Sequence, residues 1–219
     1  MPRRATRPIS SPARTPALES PPSDWGFRHR DLIATVILAP ATAAALLSTP
    51  AVARGSALDV MLHLAAWVLF LGGAALRFWA TVYIGGRKRD MIVTDGPYSL
   101  CRHPLYLASF LLALSAGLFL GSMLVSAAVI VAGAVYLVTT VPQEEAVLAR
   151  QHPRGWADYA ERVPRVFPRS ITCRTPERIT VDVQSLRDEA ARAGRWVLLP
   201  LLVELAAYLR TQAWWPQLW

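Results

Sequence analysis

Three short stretches of this 219-residue chain bring charge, imidazole and aromatic rings together at spacings that could do chemistry. The richest is Val93-Thr-Asp-Gly-Pro-Tyr-Ser-Leu-Cys-Arg-His-Pro-Leu-Tyr106. Gly96-Pro97 reads as a turn. Pro104 suits the first turn of a helix, where its missing N–H costs nothing. The free backbone N–H groups of such a helix start favour an anion, and Arg102 and His103 stand beside it. The combination suits a carboxylate or a phosphate; its plainer reading is a basic flank. The second stretch is Glu144-Glu145, adjacent carboxylates able to hold an ammonium group or ribose hydroxyls. Their plainer reading is a solvated helix N-terminus, where acidic residues are favoured. The third is Trp156-x-x-Tyr159-x-x-Arg162, whose three side chains share one helical face. That face suits stacking on an adenine or clasping a carboxylate, and suits an ordinary interfacial helix equally well.

The elements that must position these groups are long apolar runs. Hydrophobic residues make up 53% of the chain and charged residues only 17%, against roughly a quarter charged in a soluble domain. A first span reads from about Asp31 to Val52, with Pro40 as a tolerated kink. After a break at Arg54-Gly55-Ser56, a second runs from Leu58 to about Ile84 and ends at Gly85-Gly86 and Arg87-Lys88-Arg89. The stretch Leu105 to Val141 would be about 55 Å long as one helix, nearly twice a hydrocarbon core. Two helices turning near Gly121-Ser122 fit better, with Ser115, Gly117, Gly121 and Ser126 letting their backbones approach.

Residues 142–180 read as a helix and then a Pro-punctuated loop. A last helix starts near Gln184, charged first and apolar from Trp196 to Leu209, so it either spans or lies in the interface. Trp214, Trp215 and Trp219 have the character of an aromatic belt. The expected fold is therefore an all-α integral membrane protein: four transmembrane helices and a fifth, short spanning or interfacial helix. Residues 1–24 read as a disordered Arg/Pro-rich arm, 25–92 as the first two spans, 93–180 as the core carrying the chemistry, and 181–219 as the C-terminal helix.

The net charge is +8, and all but one of the 23 basic residues are Arg. Arg3, Arg4, Arg7, Arg14, Arg28 and Arg30 put the N-terminus in the cytoplasm by the positive-inside rule. Four crossings then return residues 85–103 and 142–180 to that side, in a bacterial inner membrane by composition. No nucleic-acid-binding fold is visible. Cys101 and Cys173 read as reduced thiols, and no metal-ligand cluster can be built from them. His63 and Arg77 lie 14 residues apart within the second run, with Asp59 one turn before His63. That spacing puts them within about 40° of one face, as a buried polar network or a functional pair.

Taken together, the order Val-Thr-x-Gly-x-Tyr, Arg-His-Pro-x-Tyr, apolar hairpin, Glu-Glu and aromatic-x-x-Tyr-x-x-Arg-Val-Pro resembles the isoprenylcysteine carboxyl methyltransferase family, within a group that includes phospholipid N-methyltransferases. The resemblance covers about Val93 to Pro168 and departs from the family at Leu107-Ala108 and Pro153, where glycines are usual. It implies a cofactor pocket for S-adenosylmethionine at the cytoplasmic face. Tyr98, Arg102, His103, Pro104 and Tyr106 would line it from one side, Glu144 and Glu145 from the other, with Tyr159 packing it. Arg162 and Glu145 would be catalytic, Arg162 beside a lipid-like or small methyl acceptor, in the first instance a carboxylate. Two other readings are an NADPH-dependent reductase of the sterol-reductase type, which shares the Arg-His-Pro-x-Tyr pattern, and a non-enzymatic transporter or assembly protein.

Overall fold

The computed structural model describes residues 30–49, 51–85 and 91–216. Among them are six α-helices, one 3-10 turn and no strand. The helices are α1 (Arg30–Leu47), α2 (Ala57–Ile84), α3 (Pro104–Phe119), α4 (Met123–Gln151), α5 (Pro153–Arg162) and α6 (Val183–Leu209), and the 3-10 turn is Gly96–Ser99. The N-terminal arm, its arginines up to Arg28, and the Arg87-Lys88-Arg89 cluster lie outside the described residues.

The break before α2 is a cap. Ser56 accepts from Asp59 N at 3.2 Å, and Asp59 accepts from Gly55 N at 2.9 Å. This reciprocal pairing satisfies N–H groups that the helix itself cannot. The long apolar run folds as the expected hairpin. Its α3 ends at Phe119, Gly121 takes φ +61°, and Ser122 caps α4 by accepting from Val125 N at 3.3 Å. A side chain at Gly117 would put Cβ 2.6 Å from Ser126 Oγ, so the two helices touch there only because Gly117 has none.

One expectation fails in detail. Helix α4 does not stop at the end of its apolar part but runs through Pro142 to Gln151. Glu144 and Glu145 therefore sit late in a helix rather than at an N-terminus, and the helix dipole does not account for them.

The direction of the last helix follows from its ion pairs. Glu189 and Glu204 lie 15 residues apart on α6; their partners Arg77 and His63 lie 14 apart on α2. The pairs meet in reversed order, so α6 runs antiparallel to α2 over roughly 22 Å of rise. Beyond α6, Arg210 donates to Leu120 O and Ser48 O, and Trp215 Nε1 donates to Leu46 O at 2.8 Å. The C-terminal aromatic segment is thereby tied to the ends of α1 and α3.

Two helices, α2 and α4, are long and apolar enough to cross a membrane. Their large apolar side chains face outward. Met61, Leu64, Val68 and Leu71 of α2 are exposed, as are Leu198, Leu201, Leu202 and Leu205 of α6. A helix in a water-soluble bundle turns that stripe inward; an exposed apolar band suits lipid. The interior packs Ala66 and Phe70 of α2 on Leu112 and Phe119 of α3.

Candidate active site

The bundle has two polar ends. At the far end, where α2 begins and α3 stops, His63 uses both ring nitrogens. Nδ1 pairs with Asp59 O at 2.8 Å, and Nε2 with Glu204 Oε1 at 2.7 Å. Because its nitrogens point at different partners, this histidine pins α6 to α2. Among the described residues, no group of three or more His, Cys, Asp or Glu is arranged to hold a metal ion.

The residues singled out in the sequence gather at the other end. The turn Gly96–Ser99 sits on α2 so closely that a Cβ at Gly96 would lie 2.5 Å from the Tyr83 ring. Gly96 N donates to Arg174 O at 2.7 Å, which staples the segment after α5 over the turn. Two further backbone bonds, Arg102 N to Pro164 O (2.9 Å) and His103 N to Arg165 O (3.0 Å), join the loop before α3 to the loop after α5. Pro104 is the first residue of α3 and is buried. Tyr159 of α5 donates its hydroxyl to Tyr98 O at 2.8 Å, locking α5 against the turn.

Glu145 is the keystone. Arg102 Nη1 lies 2.8 Å and His103 Nε2 3.3 Å from its Oε1, and Arg165 Nε lies 3.0 Å from its Oε2. Both oxygens of this buried carboxylate are thus committed. Glu144 is different: its Oε1 accepts from Tyr106 Oη, and its Oε2 is 4.0 Å from His103 Nδ1. Among the described residues no guanidinium pairs with Glu144. The rings form a rim. His103 stacks on Tyr106 (centroids 5.5 Å, interplanar angle 12°), Tyr136 meets Tyr106 edge-on at 5.3 Å, and Arg102 lies 5.7 Å over the Trp156 ring.

Burial sets the acid–base character beneath the rim. It pushes the Cys101 thiol up to about 11, with the backbone N–H of His103 opposing. It also raises the Tyr98 and Tyr159 hydroxyls well above the ordinary tyrosine range, with Cys101 adding to the effect on both. These hydroxyls are donors at neutral pH, not bases.

The structure brings together Tyr98, Arg102, His103, Pro104, Tyr106, Glu144, Glu145 and Tyr159. It does not bring Arg162 in: that side chain is exposed and its Nε donates to Asp158 O of its own helix at 3.0 Å. Arg165, not singled out in the sequence, pairs with Glu145. Nothing periodic marks Arg165 in the sequence, because it reaches the site through the backbone pairing of its loop. The polar network around His63 and Arg77 is two separate clusters, and the one around Arg77 lies behind the site. Arg77 Nε lies 2.5 Å from Glu189 Oε1, Arg77 Nη1 donates to Ser109 Oγ at 2.6 Å, and Arg192 flanks Glu189 at 3.0 Å. Thr140 and Gln143, on the same face of α4 as Glu144, each hold a buried polar atom with no hydrogen-bond partner, as does the Tyr98 hydroxyl.

Residues 60–150 match the model of the isoprenylcysteine carboxyl methyltransferase (ICMT) family. The chain is also 38% identical over 128 residues to the cobalt-zinc-cadmium resistance protein CzcN of Cupriavidus metallidurans, covering 58% of this chain and 59% of that protein. It is 33% identical over 140 residues to the nickel-cobalt-cadmium resistance protein NccN of Alcaligenes xylosoxydans xylosoxydans, covering 64% of this chain and 65% of that protein. The match thus spans less than two thirds of either relative's length. No solved structure matches. With its outward apolar helices and its family match, the chain is a membrane protein. The matched segment, which contains Arg77, the Arg102-His103-Pro104 loop, the α3–α4 hairpin and Glu144-Glu145, is similar to the isoprenylcysteine carboxyl methyltransferase family.

Proposed function

We propose that this chain is a membrane-embedded S-adenosylmethionine-dependent methyltransferase whose site lies at the cytoplasmic end of the bundle. The observation that carries the reading is Glu144, a carboxylate beside an aromatic rim with no guanidinium on it among the described residues. A cationic cofactor fits such a group; a polyphosphate does not. Rings of His103, Tyr106 and Trp156 supply flat apolar surface for an adenine, with Tyr159 packed beneath them, and buried unpaired polar atoms supply further contacts. S-adenosylmethionine, when bound, supplies a methyl group already activated on a sulfonium.

What remains for the chain is to align the acceptor and keep water out. Glu145 does this indirectly: it fixes Arg102, His103 and Arg165 in one arrangement, and through them the loops on either side. A carboxylate acceptor needs no general base, only a positive partner; Arg162, exposed on α5 outside the cluster, would have to swing toward the acceptor to serve. An amine acceptor would have to lose a proton, and His103 is the group in reach. The acceptor is lipophilic or small, entering from the bilayer or the adjoining water. In this reading α1 to α4 cross the membrane four times and α6 a fifth, from an N-terminus on the cytoplasmic side.

The names of CzcN and NccN favour a second reading, a part in metal resistance. It is compatible with methyl transfer to a membrane component and also with a non-enzymatic role. Calorimetric titration of the detergent-purified chain with S-adenosylhomocysteine, beside NADPH, separates the cases. Micromolar binding of S-adenosylhomocysteine alone, lost in Glu144→Ala, is the expected result. Binding of NADPH instead would make it a reductase, and binding of neither would leave the non-enzymatic role.

A further inference from the structure

Helix α4 presents Tyr136, Thr140, Gln143 and Glu144 on one arc of roughly 100°. Tyr136 and Glu144, which bracket Thr140 on that arc with Gln143 at its edge, touch the same residue of α3. The ring of Tyr136 meets Tyr106 edge-on at 5.3 Å, and Glu144 accepts from the Tyr106 hydroxyl. Thr140, one turn from each, therefore faces the same place. It is 0% exposed, yet its Oγ1 has no hydrogen-bond partner. A helical threonine ordinarily turns its hydroxyl back to the carbonyl four residues earlier, as neighbouring Thr139 does to Val135 O at 2.7 Å. Thr140 does not. Gln143 Oε1, on the same arc, is likewise buried and unpaired. Unpaired buried polar atoms are costly and call for a partner.

We infer that Thr140 and Gln143 are binding residues, forming with Glu144 the inner wall of the cofactor site and receiving the ammonium group at the cofactor's amino-acid end. The count matches. An ammonium has three N–H donors, and this wall offers three acceptors: Thr140 Oγ1, Gln143 Oε1 and Glu144 Oε2. One of them is anionic, and among the described residues no guanidinium competes for it. The inference rests on the methyltransferase reading and adds two residues that lie outside the Arg-His-Pro and Glu-Glu motifs.

The test is calorimetry on the full chain in detergent, using S-adenosylhomocysteine and its analogue lacking the α-amino group. Wild type should bind the deaminated analogue about tenfold more weakly, as expected for a lost charge-assisted contact. Thr140→Val and Gln143→Leu should each weaken S-adenosylhomocysteine by roughly tenfold and leave the deaminated analogue unaffected. Thr140→Ser, which keeps the hydroxyl, should retain wild-type affinity and guards against a folding defect in the valine variant. Equal losses for both ligands, or no loss in either variant, would overturn the assignment while leaving the methyltransferase reading intact. Failure of wild type to bind S-adenosylhomocysteine would overturn both.

Discussion

Arg77 Nε lies 2.5 Å from Glu189 Oε1, joining α2 to a helix that begins 99 positions after α2 ends. Glu189 is 1% exposed and Arg77 is partly buried, so the pair lies largely enclosed between α2, α3 and α6 behind the candidate site. Ser109 and Arg192 complete its hydrogen bonding, as a buried charge requires. Together with His63–Glu204 at the far end, it sets the antiparallel register of α6.

Removing one partner should be worse than removing both. Glu189→Ala leaves Arg77 buried without its anion and should cost about 3–5 kcal/mol. The double change Arg77→Met with Glu189→Leu should recover most of that loss. Thermal unfolding in detergent, followed by loss of monodisperse protein, reads the difference. A single variant as stable as wild type would show that the pair does not hold α6 in place.

The two adjacent glutamates should separate cleanly. Glu145→Gln takes the charge from a carboxylate that Arg102, His103 and Arg165 share, and should cost about 1.5–3 kcal/mol in stability along with ligand binding. Glu144→Gln keeps an acceptor for Tyr106 Oη and should leave the unfolding midpoint unchanged. Its S-adenosylhomocysteine affinity should still fall by roughly tenfold or more. Comparable unfolding midpoints for the two variants would contradict the keystone role of Glu145.

Arg162 should matter to the acceptor and not to the cofactor. Its guanidinium is exposed and among the described residues bonds its own helix backbone, so Arg162→Ala should change stability by less than about 0.5 kcal/mol. The S-adenosylhomocysteine dissociation constant should also hold. Arg165→Ala, which removes a half-exposed ion pair, should cost under about 1 kcal/mol. Loss of S-adenosylhomocysteine binding in Arg162→Ala would place that guanidinium in the cofactor site instead.

The two thiols should differ in reactivity. Cys101 is 1% exposed, and burial raises its thiol to about 11, so near pH 8 it is protonated as well as covered. Cys173 is partly exposed on the segment after α5. Maleimide labelling of the folded chain near pH 8, read by mass spectrometry, should modify one site, Cys173, and a second only after denaturation. Rapid labelling of Cys101 in the folded chain would mean that the turn Gly96–Ser99 does not stay docked.

Much of this protein is determined locally and is therefore legible in the residues alone. Apolar runs of helical length, the caps at Ser56 and Ser122, and the small residues at Gly117 and Ser126 dictate where α2, α3 and α4 begin, turn and approach. Local spacing likewise put Trp156 and Tyr159 on one face and Pro104 at a helix start. The charge pattern placed Arg102-His103 and Glu144-Glu145 on the same side of the bundle. Only the tertiary structure decided which groups meet. Arg165 reaches Glu145 because two loops pair through their backbones, and no periodicity reports that. Glu189 and Glu204 stand out by no spacing of their own, and only the packing of α6 on α2 sets Arg77 and His63 opposite them. Arg162 shares a helical face with Tyr159, yet that face turns partly away from the site. The division follows from range: propensity, capping and hydropathy act over a few residues, whereas the pairing of buried charges is fixed by packing between helices far apart in the chain.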